Sequence, residues 1–160
     1  QFNNSELLDL IQGLFDTYQV DPNSVELEVT ESVLLKKVDH AITTINKLKM
    51  MGLTVAIDDF GTGYSSLSYL RKIPFDTLKL DKSFIDDIAI STKSKILVES
   101  IVQLALGLEL DVVAEGVETN EQAALLQEMK CSLCQGYLFS KPVDKMKFAE
   151  MISQSKTFTF

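Results

Sequence analysis

Two adjacent carboxylates, Asp58 and Asp59, stand at the end of the strand-like run Thr54, Val55, Ala56, Ile57, and glycines follow at 61 and 63. A buried strand fixes the backbone, two acids at its end lower the cost of holding a divalent cation, and the glycines let the chain turn with positive φ. Read alone, the same residues describe a strand followed by an ordinary Asp-Gly turn. Other segments carry polar residues that are equally out of place. Lys79 lies between Leu78 and Leu80, where a lysine needs an anionic neighbour. The alternation from Val25 to Val29 sends Glu26 and Glu28 to the face opposite Val25, Leu27 and Val29. Asp111 to Ala114 runs into Glu115, and Gln135 falls within a strand-like stretch from Leu133 to Tyr137.

The elements that must position these groups are readable from periodicity. Strands begin near 25, 54, 77, 111 and 133, each followed by a helical pattern. Ser5 is placed to cap a first helix through Leu7, Leu8, Ile11, Leu14 and Phe15, and the Asp21-Pro22 turn ends it. A second helix, from about Val38 to Met51, carries Ala41, Ile42, Ile45 and Leu48 on one stripe, with Gly52 where a C-terminal glycine belongs. Leu67 to Arg71 reads as a short helix before Pro74. Lys93 to Leu106 reads as amphipathic through Ile96, Leu97, Ser100, Ile101, Leu104 and Ala105. Thr119 with Gln122 makes a capping box for a helix to Met129, and Pro142 and Asp144 introduce a last helix around Lys145 to Ile152. Strands alternating with helices at these intervals indicate βα units and a parallel sheet. The polar residues then gather at the C-terminal ends of the strands, the edge at which such folds build sites.

Composition narrows the classes. The 160 residues fit a single domain, 1–160, and 46% hydrophobic with 24% charged residues excludes a disordered chain. A net charge of −8 gives no basic footprint for a nucleic-acid polymer or an anionic membrane surface. An anionic substrate is compatible with it only where bound metal reverses the local potential. The apolar region from Ile96 to Val113 is interrupted by Glu99, Ser100, Gln103, Gly107, Glu109 and Asp111, so it falls short of the ~18 residues of a membrane span. Cys131 and Cys134 form a single CxxC, and His40 is the one histidine, so a zinc site is not indicated. The pair reads as two reduced, buried thiols of a cytoplasmic protein. The chain opens on Gln1 without an initiator Met and reads as part of something longer.

Five segments together resemble the EAL domain, the cyclic di-GMP phosphodiesterases of bacterial signalling. They are ELEVTES at 26–32, AIDDFGTGYSSLSYL at 56–70, LKLDKSFI at 78–85, VVAEGVET at 112–119 and QGYLFSKP at 135–142. The resemblance implies a TIM-like (β/α)8 barrel, here truncated to about five βα units, that hydrolyses cyclic di-GMP to linear pGpG with Mg2+ or Mn2+ at a two-metal site. Carried over by motif, Glu28, Asp58, Asp59 and Glu115 are the metal ligands. Asp58 with Lys79 handles the attacking water, and Gln135 holds this water or the second metal's shell. Glu31 steadies the loop over the metals, and Gly61, Thr62, Gly63, Ser65, Asp81 and Glu118 are groups on the substrate side or behind the ligands. Clustered hard oxygen ligands do suit such ions. The resemblance also implies a homo-oligomer and regulatory domains upstream.

By the resemblance, the name-giving Glu-Ala-Leu motif, the Arg after it and the family's Asn ligand are expected upstream of Gln1. The expectation is therefore an incomplete metal site, an unclosed sheet with exposed edges, and no activity from these residues alone. The edges would be covered by a partner copy or a rearranged segment.

Two motif matches fail. Asp59-Phe60-Gly61 copies a kinase DFG, but no His-Arg-Asp loop accompanies it, and GTGYSS at 61–66 lacks the third glycine of a dinucleotide fingerprint. The rival from another class is a non-catalytic EAL-like domain that serves as a cyclic di-GMP receptor or a protein-interaction module. Retention of every family ligand within these residues favours the enzyme.

Overall fold

The computed structural model describes residues 6–31, 38–61 and 70–154. Among them the elements run α1 (Leu7–Tyr18), a 3-10 turn (Pro22–Ser24), β1 (Glu26–Thr30), α2 (Val38–Met50), β2 (Thr54–Phe60), β3 (Thr77–Leu80), α3 (Lys82–Ile85), α4 (Thr92–Gly107), β4 (Asp111–Ala114), α5 (Asn120–Glu128), β5 (Leu133–Cys134) and α6 (Lys145–Ser153). The five strands form one sheet in chain order, every neighbouring pair parallel. The expected βα succession is what the chain adopts. Ser5 and most of the Leu67 to Arg71 segment lie outside the described residues.

Strand register divides the side chains between two faces. Leu27, Val29, Val55, Ile57, Leu78, Leu80, Val112 and Ala114 share the face that the helices cover, and Val55, Leu78, Leu80, Val112 and Ala114 are completely buried there. Each such aliphatic side chain larger than Ala contributes roughly 1.5–3 kcal/mol, so this face holds the molecule together. The opposite face carries Glu26, Glu28, Thr77, Lys79 and Asp111. Helices cover one side of the sheet among the described residues, and the polar side is left for chemistry.

Local chemistry places the helix ends. Gly52, at φ +98°, stops α2 as its position foretold. Thr119 and Gln122 form the complete capping box of α5. Asp144 accepts from the amides of Met146 and Lys147 at the start of α6. At the N-terminal edge of the sheet Asp76 acts as a clamp. Its carboxylate takes the amide of Val55 at 2.9 Å and the ammonium of Lys49 at 2.6 Å.

Four expectations need correction. The buried stripe of α4 is Val98, Val102 and Ala105, whereas Ile96 and Leu97 are 57% and 49% exposed. Apolar residues occur on nearly every side of this helix, so periodicity does not select a face, and packing against β4 does. On α1 only Ile11 is buried, and Leu14 is exposed. Strand β5 ends at Cys134 instead of Tyr137. Gln135 continues the pairing by backbone alone, donating to Ala114 O at 2.8 Å and accepting from Val117 N at 3.0 Å, where β4 has already turned away. The thiols of Cys131 and Cys134 are free, as expected, but only partly buried. The Cys131 thiol is held well above the ordinary range, chiefly by its hydrogen bond to Cys134 and then by burial.

Candidate active site

The site is organised around Lys79. Its place in the central strand buries the residue to 6% exposure, and its ammonium emerges on the polar face. There it meets Glu28 Oε1 at 2.5 Å, Glu115 Oε1 at 2.7 Å and Asp58 Oδ1 at 3.3 Å. The anionic neighbour demanded by a lysine in an apolar strand is thus three carboxylates from three other strands or strand ends. Burial alone would lower the pKa of Lys79. Hydrogen bonds to Glu115 and Glu28 and the charges of Glu115 and Asp58 outweigh it and raise the pKa above the ordinary lysine value. Lys79 is therefore a fixed cation at neutral pH.

The adjacent acids Asp58 and Asp59 would point to opposite faces of a regular strand. They do not stand in one. Between Ile57 and Phe60 the β2–β3 register gains one residue, and Asp59 adopts φ +54°. This bulge re-aims the chain where β2 ends, a device common beside functional sites. Asp59 has a raised pKa, caused first by burial and then by the charges of Asp58 and Asp81, with Lys79 opposing and Glu28 adding a smaller push upward. Both acids therefore feel the same cluster. Gly61 follows at φ +94°, with the Phe84 ring against its Cα, so a side chain there would have no room.

The remaining predicted residues divide. Asp81 Oδ1 accepts from Ser83 N at 3.0 Å and Ser83 Oγ at 2.6 Å and caps α3, which holds its carboxyl below the ordinary range. Glu118 hydrogen-bonds Lys82 and makes no ion pair with Lys79. Glu31 is buried just past β1. Gln135 is exposed, joined to the Lys79 cluster by no side-chain hydrogen bond, and lines a 310 Å3 cavity with Tyr137, Lys141 and Phe148. Thr62, Gly63 and Ser65 lie outside the described residues.

Sequence reasoning missed two contacts, Lys82 reaching across to the β4–α5 loop and Thr77 donating to Glu26 at 2.6 Å, and it read Gln122 as a cap without its buried bond to Ile85 O. Asp81-x-Ser83 was a readable capping signal for α3. Nothing local marks Lys82.

Among the described residues no group of three or more His, Cys, Asp or Glu side chains is gathered closely enough to hold a metal ion. The carboxylates converge on the Lys79 ammonium instead. Their chemistry nonetheless fits a hard divalent cation, being oxygen donors alone, and Asp58 Oδ1 is buried without a hydrogen bond.

A parallel βα sheet with acids and one fixed lysine at its C-terminal edge defines an α/β domain of the TIM-barrel kind. The chain belongs to the EAL domain family, whose family profile matches residues 1–142. It is 48% identical over 148 residues to the protein named "Cyclic di-GMP phosphodiesterase NbdA" of Pseudomonas aeruginosa, covering 92% of this chain and 19% of that protein. The crystal structure of the EAL domain of Mycobacterium smegmatis DcpA superposes with TM-score 0.92 at 35% identity, over 97% of this chain and 70% of that one. The manganese and cyclic di-GMP complex of Klebsiella pneumoniae BlrP1 gives TM-score 0.81 at 35% identity, over 88% and 36%. This chain spans about a fifth of the length of the curated relatives it matches. The five-stranded sheet is accordingly an arc of the EAL barrel. No described helix is long and apolar enough to cross a membrane.

Proposed function

We propose that this chain carries the catalytic edge of a metal-dependent phosphodiesterase that hydrolyses cyclic di-GMP to linear pGpG. The observation that supports it most is the Lys79 ammonium held among Glu28, Asp58 and Glu115 at the C-terminal edge of the strands. Relatives named for this activity, or solved with the dinucleotide, support the substrate.

In this reading Glu28, Asp58, Asp59 and Glu115 would hold Mg2+ or Mn2+. The ions, when bound, supply charge neutralisation for the phosphodiester and acidify water. Asp58 Oδ1, buried, without a hydrogen bond and held by its 3.3 Å ion pair with Lys79, accepts the proton of the attacking water. Lys79 stays protonated and faces the negative charge that grows on the phosphate oxygens as the P–O bond to the leaving ribose oxygen breaks. It is an electrostatic partner and not the base. Asp81, committed to Ser83, keeps α3 in place behind the cluster. Gln135 and Glu118 would serve the substrate side from the β5 and β4 ends.

The 160-residue chain by itself is inactive in this reading, because Glu-Ala-Leu does not occur in it. The test is cyclic di-GMP hydrolysis with Mn2+ by this chain, alone and in a polypeptide that carries a Glu-Ala-Leu segment ahead of it, with Asp58→Asn in each. Turnover by the longer protein only, abolished by Asp58→Asn, is the expected result. Binding of the dinucleotide without cleavage by the longer protein would overturn the catalytic reading in favour of a receptor.

A further inference from the structure

The loop from Glu115 to Glu118 delivers one of the three carboxylates to Lys79, and it follows β4 with no regular structure of its own. Its inner side is held by backbone. Glu115 N donates to Leu80 O and Val117 N to Gln135 O, both at 3.0 Å, and Leu138 N donates to Val117 O at 3.0 Å. Its far end is held by Gln122, whose Oε1 accepts from Glu118 N at 2.8 Å and Thr119 N at 3.0 Å while its Nε2 donates to Ile85 O at 3.1 Å.

The solvent side is covered by Lys82, the first residue of α3. Its Cβ, Cγ and Cδ lie against Gly116 so closely that a methyl group on that glycine would collide with all three, and Gly116 itself sits at φ +73°. The ammonium hydrogen-bonds Glu118 Oε1, and Asp86 Oδ1 stands 3.8 Å away. One side chain therefore presses on the middle of the loop and holds its end. Its ion pairs are with Glu118 and Asp86 and with none of the three acids around Lys79.

We propose that Lys82 is a positioning residue, which restrains the β4–α5 loop so that the Glu115 carboxylate stays presented to Lys79. The restraint is a statement about this chain, and only its consequence for metal binding rests on the phosphodiesterase reading. Methionine at 82 would keep the stem over Gly116 and drop the charge, whereas arginine would keep the charge. The experiment follows amide hydrogen exchange at Glu115, Val117 and Glu118 in this chain, and Mn2+ binding by the electron paramagnetic resonance of the ion in the longer polypeptide that carries the Glu-Ala-Leu segment, each as wild type, Lys82→Met and Lys82→Arg.

In Lys82→Met, exchange at these three amides rises about two- to fivefold, the range expected for an exposed ion pair, while the β3 amides of Lys79 and Leu80 stay unchanged. Mn2+ affinity falls by a similar factor, and Lys82→Arg returns both to within about twofold of wild type. Unchanged exchange in Lys82→Met, or acceleration of all sheet amides together, overturns the proposal. If the exchange pattern is as expected but the longer polypeptide that carries the Glu-Ala-Leu segment binds no Mn2+, the loop restraint stands and the metal-dependent reading falls.

Discussion

Replacing Lys79 by methionine removes a charge while keeping most of an aliphatic stem, so the change tests electrostatics more than packing. Three carboxylate oxygens within 3.3 Å of one ammonium are left facing one another. Breaking a fully buried pair on one side costs about 3–5 kcal/mol. Here Glu28 is 51% exposed and can rehydrate, whereas Asp58 and Glu115, at 20% and 22%, do so poorly. A net cost of about 2–3 kcal/mol follows, and at about 2–4 °C per kcal/mol for a chain of this size the Tm falls by roughly 4–12 °C. The assay is thermal unfolding by circular dichroism at pH 7, 9 and 11. A lysine whose pKa is raised on folding contributes stability that is full below its ordinary value of 10.5 and is lost as pH rises through the folded value. The gap between wild type and Lys79→Met is therefore equal at pH 7 and 9 and begins to close at 11. A variant that melts with wild type at pH 7, or a gap that widens above pH 10, would refute the assignment of Lys79 as the fixed cation of the cluster.

Asp59→Asn tests the bulge. The raised pKa of Asp59 means that its charged form opposes folding at neutral pH, a penalty present above the folded value and absent below the ordinary 3.8. Asparagine tolerates the left-handed conformation, so its Tm at pH 7 lies above that of wild type while Mn2+-dependent hydrolysis in the longer protein is lost. The two faces of α4 separate by mutation: Val98→Ala lowers stability by about 1–2 kcal/mol in urea unfolding, and Ile96→Ser changes it by under about 0.5. Equal effects at the two positions would show that the helix is turned otherwise.

Much of the architecture was legible before any coordinates. Alternation, Gly52 and the Thr119–Gln122 box are short-range signals, decided by residues a few places apart, and the strands and helices fall where those signals lie. The requirement that Lys79 be paired was also local, because a lysine between two leucines of a strand has no other way to be buried. The face of α4 was not legible, since its apolar residues surround it. Nor was the short β5, whose end depends on where β4 turns.

What tertiary structure alone decided is which groups meet. Glu28 and Lys79 are 51 residues apart, and only the register of β1, β2 and β3 brings an oxygen of one to 2.5 Å from the nitrogen of the other. The extra residue between Ile57 and Phe60 arises from pairing with β3, so the left-handed Asp59 could not be read from Asp-Asp-Phe-Gly. Lys82 gave no signal at all. Its role exists because α3 starts beside Gly116, and that neighbour is supplied by a different βα unit. Sequence determined the residue types and the edge at which they emerge, through interactions between near neighbours. The pairing of one lysine with three acids rests on contacts between strands far apart in the chain, and only the folded sheet holds them.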